Sequence, residues 1–290
     1  VNFDLVGALP TGIADLTVGG FDYQRALWAD TFAVGGGDLT GAVEYYHYDG
    51  PWDRGDDYER FNGFMGYHSG DAMGGWSVTA MASDGQWLAT DQIPRRAVDQ
   101  GLVDRYGLLD PGPRGSTARY SLSGEVHRGR STSLTSLSAY VVHYDFDLIS
   151  NFTYLLDDPE NGDQFEQTDK RQIFGVALSQ RWNAHVGEIH TENAVGLTLR
   201  YDDISNGLYR TTELVRTATV REDDVGQLGG GVWGESWLRL SRKMRLNLGL
   251  RIDYYDADVN AFRPVNSGSA SEWMLNPKAT LVWDPSPSVE

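Results

Sequence analysis

Six histidines and four pairs of adjacent carboxylates are the residues of this sequence that could take part in acid–base or metal chemistry. The histidines are His47, His68, His127, His143, His185 and His190, and the pairs are Asp56-Asp57, Asp157-Asp158, Asp202-Asp203 and Asp223-Asp224. No two histidines have metal-ligand spacing, and neighbouring loop carboxylates rarely converge on one substrate atom as a general acid and base must. Cysteine is absent, so thiolate chemistry is excluded. We therefore predict no catalytic residue, no metal-binding residue and no cofactor, and a protein that is not an enzyme.

Two segments of the chain concentrate acidic residues. They contain, respectively, Asp49, Asp53, Asp56, Asp57 and Glu59, and Asp157, Asp158, Glu160, Asp163, Glu166 and Asp169. Clusters of one charge sign focus the electric field and attract cations, which would suit a metal complex or divalent ions. Ordinary solvation of exposed loops explains the same composition, and the spacing lacks the order of an EF-hand. Both interpretations stay open from the sequence.

Aromatic residues in the long connecting segments form a further candidate set. They are Trp52, Trp87, Tyr106, Phe152, Tyr154 and Phe165. Long loops with aromatic side chains suit a ligand-binding vestibule, because binding residues concentrate on loops that a rigid scaffold positions. The alternative for each of them is packing within its own loop.

Composition limits the class of protein. The 290 residues carry 24 Lys and Arg against 41 Asp and Glu, a formal charge of −17. Such an acidic chain is unsuited to nucleic acid, whose binding depends on cationic contacts to phosphates. No run of apolar residues exceeds four, which excludes a transmembrane helix but not a transmembrane β-barrel, whose strands alternate in polarity.

The elements that must position these residues are strands, because the hydrophobic pattern has period two. Between Lys243 and Tyr255 every even position is apolar or aromatic and every odd position is polar, charged or Gly. Similar alternation is seen in five other segments, where the apolar sets begin at Ala118, Tyr140, Phe174, Asn193 and Trp273. In the second of these, Tyr140, Val142, Tyr144, Phe146 and Leu148 are expected to form the apolar face.

Strand length and loop length indicate the type of β protein. Many alternating segments reach about ten residues, the length of a tilted bilayer crossing, and aromatic residues lie near their ends, as in interfacial girdles. Short turns alternate with long connections, predicted at residues 50–58, 84–116, 150–168, 203–224 and 259–271. This asymmetry is typical of outer-membrane barrels. We predict an all-β fold of about twelve antiparallel strands between residues 13 and 284, with a soluble β-sandwich or propeller as the alternative.

Several of these segments resemble the TonB-dependent outer-membrane receptor family. Residues 1–6, VNFDLV, are similar to the last strand of the family's plug domain, and residues 19–24, GGFDYQ, to the first outer turn of its barrel. Residues 45–52, YYHYDGPW, are similar to the end of the third strand. The most specific likeness is LRIDYY at 250–255 followed by LNPKATLVW at 275–283.

The resemblance implies a portion of a 22-stranded antiparallel transmembrane β-barrel. Residues 1–10 would be a remnant of the plug, and residues 11–290 the N-terminal half of the barrel. The implied function is active import of a scarce ligand, such as a siderophore–iron or other metal complex, across the bacterial cell outer membrane. The implied partners are outer-membrane lipid and lipopolysaccharide, TonB through a missing N-terminal region, and a small-molecule or metal-chelate ligand, but no nucleic acid. A passive porin-like barrel and a soluble all-β carbohydrate-binding domain are the alternatives.

A barrel also assigns the polar face of each strand to the interior, since Arg facing lipid costs about 2–4 kcal/mol at the bilayer midplane. The charged residues expected to face the interior and contact the plug are Arg119, Glu125, Arg181, Arg200, Arg245, Arg251 and Asp253, together with Lys243 and Lys278.

Overall fold

Residues 7–284 are described by a computed structural model and form one sheet of twelve strands, each hydrogen-bonded to its sequence neighbours. The strands are β1 Ile13–Val18, β2 Gln24–Val34, β3 Gly37–Tyr48, β4 Tyr58–Asp71, β5 Gly74–Leu88, β6 Arg114–Arg130, β7 Ser133–Ser150, β8 Phe165–Val186, β9 Ile189–Thr212, β10 Val215–Ser241, β11 Met244–Ala261 and β12 Gly268–Trp283. All eleven pairings are antiparallel. The fold predicted from the alternating pattern is confirmed.

The two ends of the sheet differ in their connections. At one end, two-residue turns join β2 to β3, β4 to β5, β6 to β7, β8 to β9 and β10 to β11. At the other end lie the long loops 49–57, 89–113 and 151–164, and a shorter loop at 262–267. We call these the turn end and the loop end. A five-residue helix, α1 (Arg95–Asp99), lies in the longest loop. None of the helices among residues 7–284 is long and apolar enough to cross a membrane.

One face of the sheet is apolar across many strands, and we call it the outer face. A continuous cross-strand row on it contains Ile252, Val232, Leu197, Leu178 and Leu137. These side chains are each between 38% and 59% exposed, and no second sheet covers them among the described residues. The soluble-sandwich alternative requires such a sheet, so the structure argues against it.

The opposite, inner face carries most of the polar side chains. The chain that precedes β1 lies against this face, where the Leu9 N–H donates to Thr31 Oγ1 at 2.9 Å. The Thr40 hydroxyl donates to the Gly7 carbonyl at 3.2 Å. Residues 1–6, which were expected to be part of the plug, lie outside the described residues. The polar face is therefore the one that receives the chain entering the sheet.

Aromatic residues form two belts on the outer face. The upper belt, toward the loop end, consists of Tyr45, Phe61, Tyr120, Phe174, Tyr201, Tyr254 and Trp273, and the lower belt of Phe32, Tyr67, Trp76, Trp182 and Trp283. On β12 the two belts are ten residues apart, which is about 34 Å along a strand and about 26 Å in height at a tilt of about 40°. This height matches the apolar band of outer-membrane barrels.

The upper belt also records the tilt of the strands. Phe61 pairs with Asp84, and Asp84 pairs with Ala118, but the belt residue on β6 is Tyr120, two positions further along the chain. A belt that steps along the strands in this way is level only if the strands are inclined, as they must be in a closed barrel.

Beyond the upper belt, the outer face becomes polar. Its residues here include Asp84, which accepts a hydrogen bond from the Tyr120 hydroxyl at 3.2 Å, and Asp145, which pairs with Lys170 at 3.4 Å. Asp256 accepts from the Tyr254 hydroxyl at 3.3 Å. We call the part of the sheet between the two belts the belt region, and the strands and loops beyond the upper belt the rim.

Two expectations from the sequence are wrong. In β7, Tyr140 pairs with Gly175, which in turn pairs with Arg200 on the inner face. Val141, which pairs with Leu122 and Phe174, faces outward instead. The apolar set beginning at Tyr140 therefore faces the interior, where its rings cover small residues.

The long connection expected at residues 203–224 is also absent. β9 continues to Thr212 and β10 begins at Val215, so the segment is a hairpin with a two-residue turn. The polar residues of both arms are explained by their position in the rim, where a strand has no apolar environment on either face.

Aromatic side chains on the inner face lie over glycines of neighbouring strands. A Cβ atom at Gly196 would overlap the indole of Trp233, and one at Gly175 would overlap the Tyr140 ring. Each glycine is the direct cross-strand partner of its aromatic residue. Glycine in a strand often marks such a close approach.

Candidate ligand vestibule and inner wall

The long loops at the loop end are joined into one layer by hydrogen bonds, and we call this layer the canopy. Its members are loops 49–57, 89–113 and 151–164, together with the tip of the β9–β10 hairpin at 213–214. Three groups of hydrogen bonds, which we call joints, connect each member to the next.

The first joint connects loop 49–57 to loop 89–113. The Arg54 guanidinium donates to the carbonyls of Pro111 and Ala89, the second at 3.1 Å. The Asp56 carboxylate accepts from the Trp52 indole N–H at 2.7 Å and from the Thr90 hydroxyl at 3.3 Å. Burial raises the pKa of Asp56, although the Trp52 and Thr90 donors oppose the rise. Side chains from both loops therefore share one partly buried network.

The second joint connects loop 89–113 to loop 151–164. The Asn151 backbone N–H donates to Asp91 Oδ2 at 2.7 Å. Asp110 Oδ2 accepts from the side-chain amides of Asn151 at 2.7 Å and Gln164 at 3.1 Å. Burial raises the pKa of Asp91, and the charge of nearby Asp110 adds to this rise, whereas the Asn151 N–H opposes it. Asn151 and Gln164 are both buried.

The third joint is made by the other end of Gln164. Its Oε1 accepts from the Thr211 hydroxyl and from the Leu214 N–H, both at 3.0 Å. The Thr212 hydroxyl donates to the Asn161 carbonyl at 3.1 Å. A single buried amide thus connects the hairpin tip, loop 151–164 and, through Asp110, loop 89–113.

Asp163 determines the shape of loop 151–164. Its carboxylate accepts from the backbone N–H groups of Leu156, Asp157 and Asp158, at 2.8 to 3.2 Å. Burial on its own would raise the pKa of Asp163, but the hydrogen bonds from these N–H groups outweigh it and lower the pKa. This carboxylate is therefore part of the loop's structure rather than a free cation ligand.

Four of the aromatic residues predicted for the vestibule lie in the canopy loops, whereas Trp87 and Phe165 lie in strands, at the ends of β5 and β8 that adjoin the canopy. The six do not form one site. Trp52 packs near Tyr106 with ring centroids 6.2 Å apart, and Phe152 packs against Phe165 at 5.3 Å. Trp87 lies beside Tyr58 at 6.4 Å. The remaining member, Tyr154, donates its hydroxyl to the Gln92 carbonyl at 2.7 Å. Their contact with a ligand stays a prediction.

All but one of the charged residues predicted for the interior lie on the inner face. They are Arg119, Glu125, Arg181, Arg200, Arg245, Arg251, Asp253 and Lys278. The exception is Lys243, which lies in the turn between β10 and β11. Their contact with a plug also stays a prediction. Arg245 pairs with Asp284 and Lys278 pairs with Glu235, both at 3.6 Å, and two other arginines pair with a carboxylate of their own strand. Arg200 pairs with Asp202 at 2.7 Å, and Arg251 pairs with Asp253 at 2.7 Å.

These two ion pairs belong to a repeated motif that the sequence reading missed. Arg171 with Asp169 and Arg221 with Asp223 have the same spacing of two residues. In a strand, residues two apart point to the same face, so an Arg-x-Asp or Asp-x-Arg sequence is the signal that could have identified the pairs. The carboxylates of Asp202, Asp223 and Asp253 are buried by these pairs.

A second missed network lies on the inner face of β2 to β4. The Glu44 carboxylate accepts from the Arg25 guanidinium at 2.7 Å, the Arg60 guanidinium at 3.2 Å and the Asn62 amide at 2.9 Å. The network continues to Ser83, whose hydroxyl donates to Asn62 at 2.8 Å. Its members are far apart in sequence, so only the strand register brings them together.

This architecture can be compared with known proteins. The family model for the β-barrel of TonB-dependent receptor-like proteins matches residues 22–290. The chain belongs to this family. The likeness inferred from the sequence motifs is therefore confirmed. In the comparison with curated protein sequences, no match was found.

Solved structures that resemble this chain include two receptors and one transporter. The siderophore receptor PiuA from Acinetobacter baumannii is 12% identical to this chain, with a TM-score of 0.73. The matched part is 97% of this TonB-dependent receptor chain and 48% of PiuA. The ferric-catecholate import receptor Fiu from E. coli K12, in its closed form, is 12% identical with a TM-score of 0.74, covering 94% and 48%. The ferric citrate transporter FecA is 11% identical with a TM-score of 0.72, covering 95% and 41%.

The match covers nearly all of this chain but less than half of each of the three known proteins. This TonB-dependent receptor chain spans between 41% and 48% of the length of these three proteins. At 11–12% identity the likeness shows the fold alone, a portion of a TonB-dependent β-barrel with twelve of its strands.

Proposed function

We propose that this chain forms part of the wall and outer mouth of a TonB-dependent transporter that imports a metal chelate across the bacterial outer membrane. Its outer face would lie against lipid between the two aromatic belts, and its rim would extend among lipopolysaccharide outside the cell. Ligand would bind beneath the canopy, and TonB would act through a region that precedes this chain. The chain itself would do no covalent chemistry.

The observation that carries this proposal is the difference between the two ends of the sheet. Only the loop end has long loops, and they are connected through Asp110 and Gln164 into a layer that contains the aromatic pairs. A ligand-binding mouth needs loops held in place by a rigid scaffold. An iron chelate is the ligand class we favour, because FecA, PiuA and Fiu are described as receptors or transporters for such complexes.

The placement of the loop end outside the cell can be tested by labelling. The chain has no cysteine, so single cysteines can be introduced at Leu102, which is 72% exposed in the canopy, and at Met73, which is 53% exposed at the turn end. We expect a membrane-impermeant maleimide to label Leu102→Cys on intact cells and Met73→Cys only after the outer membrane is opened. The reverse result would invert the orientation.

Ligand binding can be tested by tryptophan fluorescence of the detergent-purified protein. We expect ferric citrate or a ferric catecholate to quench the emission in a saturable way. The quenching should weaken in Trp52→Phe, which changes the canopy, and not in Trp182→Phe, which changes the lower belt. No saturable quenching by either chelate, together with iron uptake that is unaffected by deletion of the gene, would refute an iron chelate as the ligand.

A further inference from the structure

His47 is a buried histidine that neither the fold nor the proposed transport uses. It lies near the end of β3 on the outer face, one alternation beyond Tyr45 of the upper belt. The residue is 8% exposed. Its Nδ1 atom is fully buried and has no hydrogen-bond partner among the described residues. An imidazole with an unpaired, desolvated nitrogen is costly unless something binds there.

Carboxylates surround both nitrogens of this imidazole. Nε2 is 3.4 Å from Asp22 Oδ2 and 3.5 Å from Asp49 Oδ1. On the other side, Nδ1 is 4.0 Å from Asp57 Oδ1, and Glu59 lies close enough to complete a second group. In each group, one ligand atom per residue lies within 4.8 Å of the others. We call these five residues the His47 cluster.

Three separate segments supply the cluster, and neighbouring side chains orient two of its carboxylates. Asp22 comes from the turn between β1 and β2, and its Oδ1 accepts from the Gln24 amide at 2.9 Å. Glu59, at the start of β4, accepts from the Tyr45 hydroxyl at 3.1 Å and the Gln86 amide at 2.9 Å.

No Lys or Arg among residues 7–284 forms an ion pair with any of the four carboxylates of the cluster. Four negative charges close to one imidazole repel one another unless a cation is present. The excess negative charge favours a bound cation, and the buried imidazole, whose Nε2 faces Asp22 and Asp49, offers a nitrogen ligand beside these carboxylates.

We propose that the His47 cluster is a binding site for one divalent transition-metal ion of the Zn²⁺ type. The ligands would be Nε2 of His47 and one oxygen each from Asp22 and Asp49. Bonds of about 2.0–2.2 Å at tetrahedral angles separate ligand atoms by about 3.4 Å, close to the 3.4 and 3.5 Å found here. Imidazole nitrogen with carboxylate oxygen is a donor set that Zn²⁺ accepts and that Ca²⁺ and Mg²⁺ do not favour.

Metal binding at Nε2 also accounts for Nδ1. A metal-bound histidine donates its other ring N–H to a carboxylate or carbonyl, which fixes the ring and its tautomer. Asp57 is the nearest acceptor, at 4.0 Å from Nδ1, and a small closure of loop 49–57 would complete this bond. The ion would be a resident component that joins the β1–β2 turn to the β3–β4 loop, and it would be separate from any transported ligand.

The test is zinc content and zinc affinity of the detergent-purified protein after dialysis against Zn²⁺. We expect one tightly held Zn²⁺ per chain in the wild type, and loss of that equivalent in His47→Gln and in Asp49→Asn. Asp57→Asn should bind Zn²⁺ with an affinity about 10–100-fold lower, the usual effect of an outer-shell partner. His143→Gln, which changes a histidine of the same outer face outside the cluster, should leave the equivalent intact.

X-ray absorption at the zinc edge supplies an independent measurement, and should show a single imidazole among oxygen ligands. Heat-modifiable gel mobility identifies variants that have failed to fold. If His47→Gln fails to fold, the zinc content of Asp49→Asn tests the proposal instead. Zinc content that is the same in wild type, His47→Gln and Asp49→Asn would overturn the proposal. So would displacement of the bound Zn²⁺ by an equal concentration of Ca²⁺.

Discussion

The belt region and the rim are built from the same strands but lie in different surroundings. In the belt region the outer face is apolar, as in the row through Leu197 and Leu178, and the charged side chains of the described strands lie on the inner face with the exception of Asp30 in β2. In the rim both faces are polar, and carboxylates such as Asp163 are held by N–H donors of the chain. The comparison shows that the alternation of apolar and polar residues along a strand reflects the environments that its two faces meet. The alternation is lost in the rim, where both environments are polar.

The largest expected effect comes from placing a charge on the outer face of the belt region. Leu178→Arg should destabilise the protein in a lipid bilayer by about 2–4 kcal/mol, because the residue lies midway between the belt residues Phe174 and Trp182 and its guanidinium would lie in the middle of the hydrocarbon. Urea unfolding in lipid vesicles measures this difference. Ser179→Arg, on the inner face beside it, and Gln172→Arg, on the outer face of the rim, should each have little effect. Equal destabilisation by all three would remove the distinction between belt region and rim.

A second prediction concerns packing on the inner face of the belt region. Gly196→Ala should destabilise by about 1–3 kcal/mol, because its Cβ would overlap the Trp233 indole and force it to move. Gly249→Ala is the matched control on the same face, since a Cβ there would lie 3.5 Å from the Cβ of Glu235, an ordinary contact. Denaturant midpoints of the two variants check this, and a midpoint for Gly196→Ala equal to that of the control would contradict the close approach.

In the rim, Asp163→Asn should loosen loop 151–164 while leaving the belt region intact. The amide has one acceptor oxygen and no charge, so it cannot hold the three N–H groups that the carboxylate accepts. We expect faster proteolysis within the loop at unchanged global stability. The control is Asp157→Asn, an exposed neighbour. Equal proteolysis of both variants would show that Asp163 does not organise the loop.

The smallest effect is a pH dependence of the rim. Asp147 lies six positions beyond the outward-facing Val141 of β7, outside the belt region, and burial together with neighbouring Glu166 raises its pKa to about 6. The hydrogen bonds from Arg216 to Glu166, at 2.5 and 2.6 Å, lower the pKa of Glu166 instead. The proton of the pair is therefore expected to reside on Asp147.

Because its pKa is raised above the ordinary value of 3.8, ionised Asp147 destabilises the folded rim above pH 6, and this cost disappears as the pH falls toward 4. Asp147→Asn should be more stable than the wild type at pH 7, and the advantage should shrink as the pH is lowered through 6. Thermal unfolding between pH 4 and pH 7 measures the difference. An advantage that grows on acidification would reverse the assignment of the proton.

The fold could be predicted well from the sequence because the period-two signal is strong in most strands. The period-two signal assigned the wrong face in β7, because both faces of this strand carry apolar or aromatic residues. Tyr140 faces inward over Gly175, and Val141 is on the outer face. The signal also failed at residues 203–224, where both faces of a rim hairpin are polar, so that the strand has the composition of a loop.

The candidate site could be predicted only in part, because the sequence pattern of one strand does not show which residues of the neighbouring strand lie opposite it. The inner-face charges follow from alternation along one strand, so Arg200 and Arg251 were assigned to the correct face. The Glu44 network and the His47 cluster depend on which residues of different strands are opposite one another, and that pairing is set by the structure of the whole sheet. The sequence identified the acidic segment around Asp49 and Asp57 but gave no reason to associate it with a histidine.

The amide of Gln164 connects three members of the canopy, and this has a mechanical consequence. Displacing any one loop breaks bonds that hold the next, so the mouth should open as a cooperative unit. Amide hydrogens in loops 89–113 and 151–164 and in the 213–214 tip would then exchange with a common rate, and a molecule that docks against one loop would slow exchange in all of them.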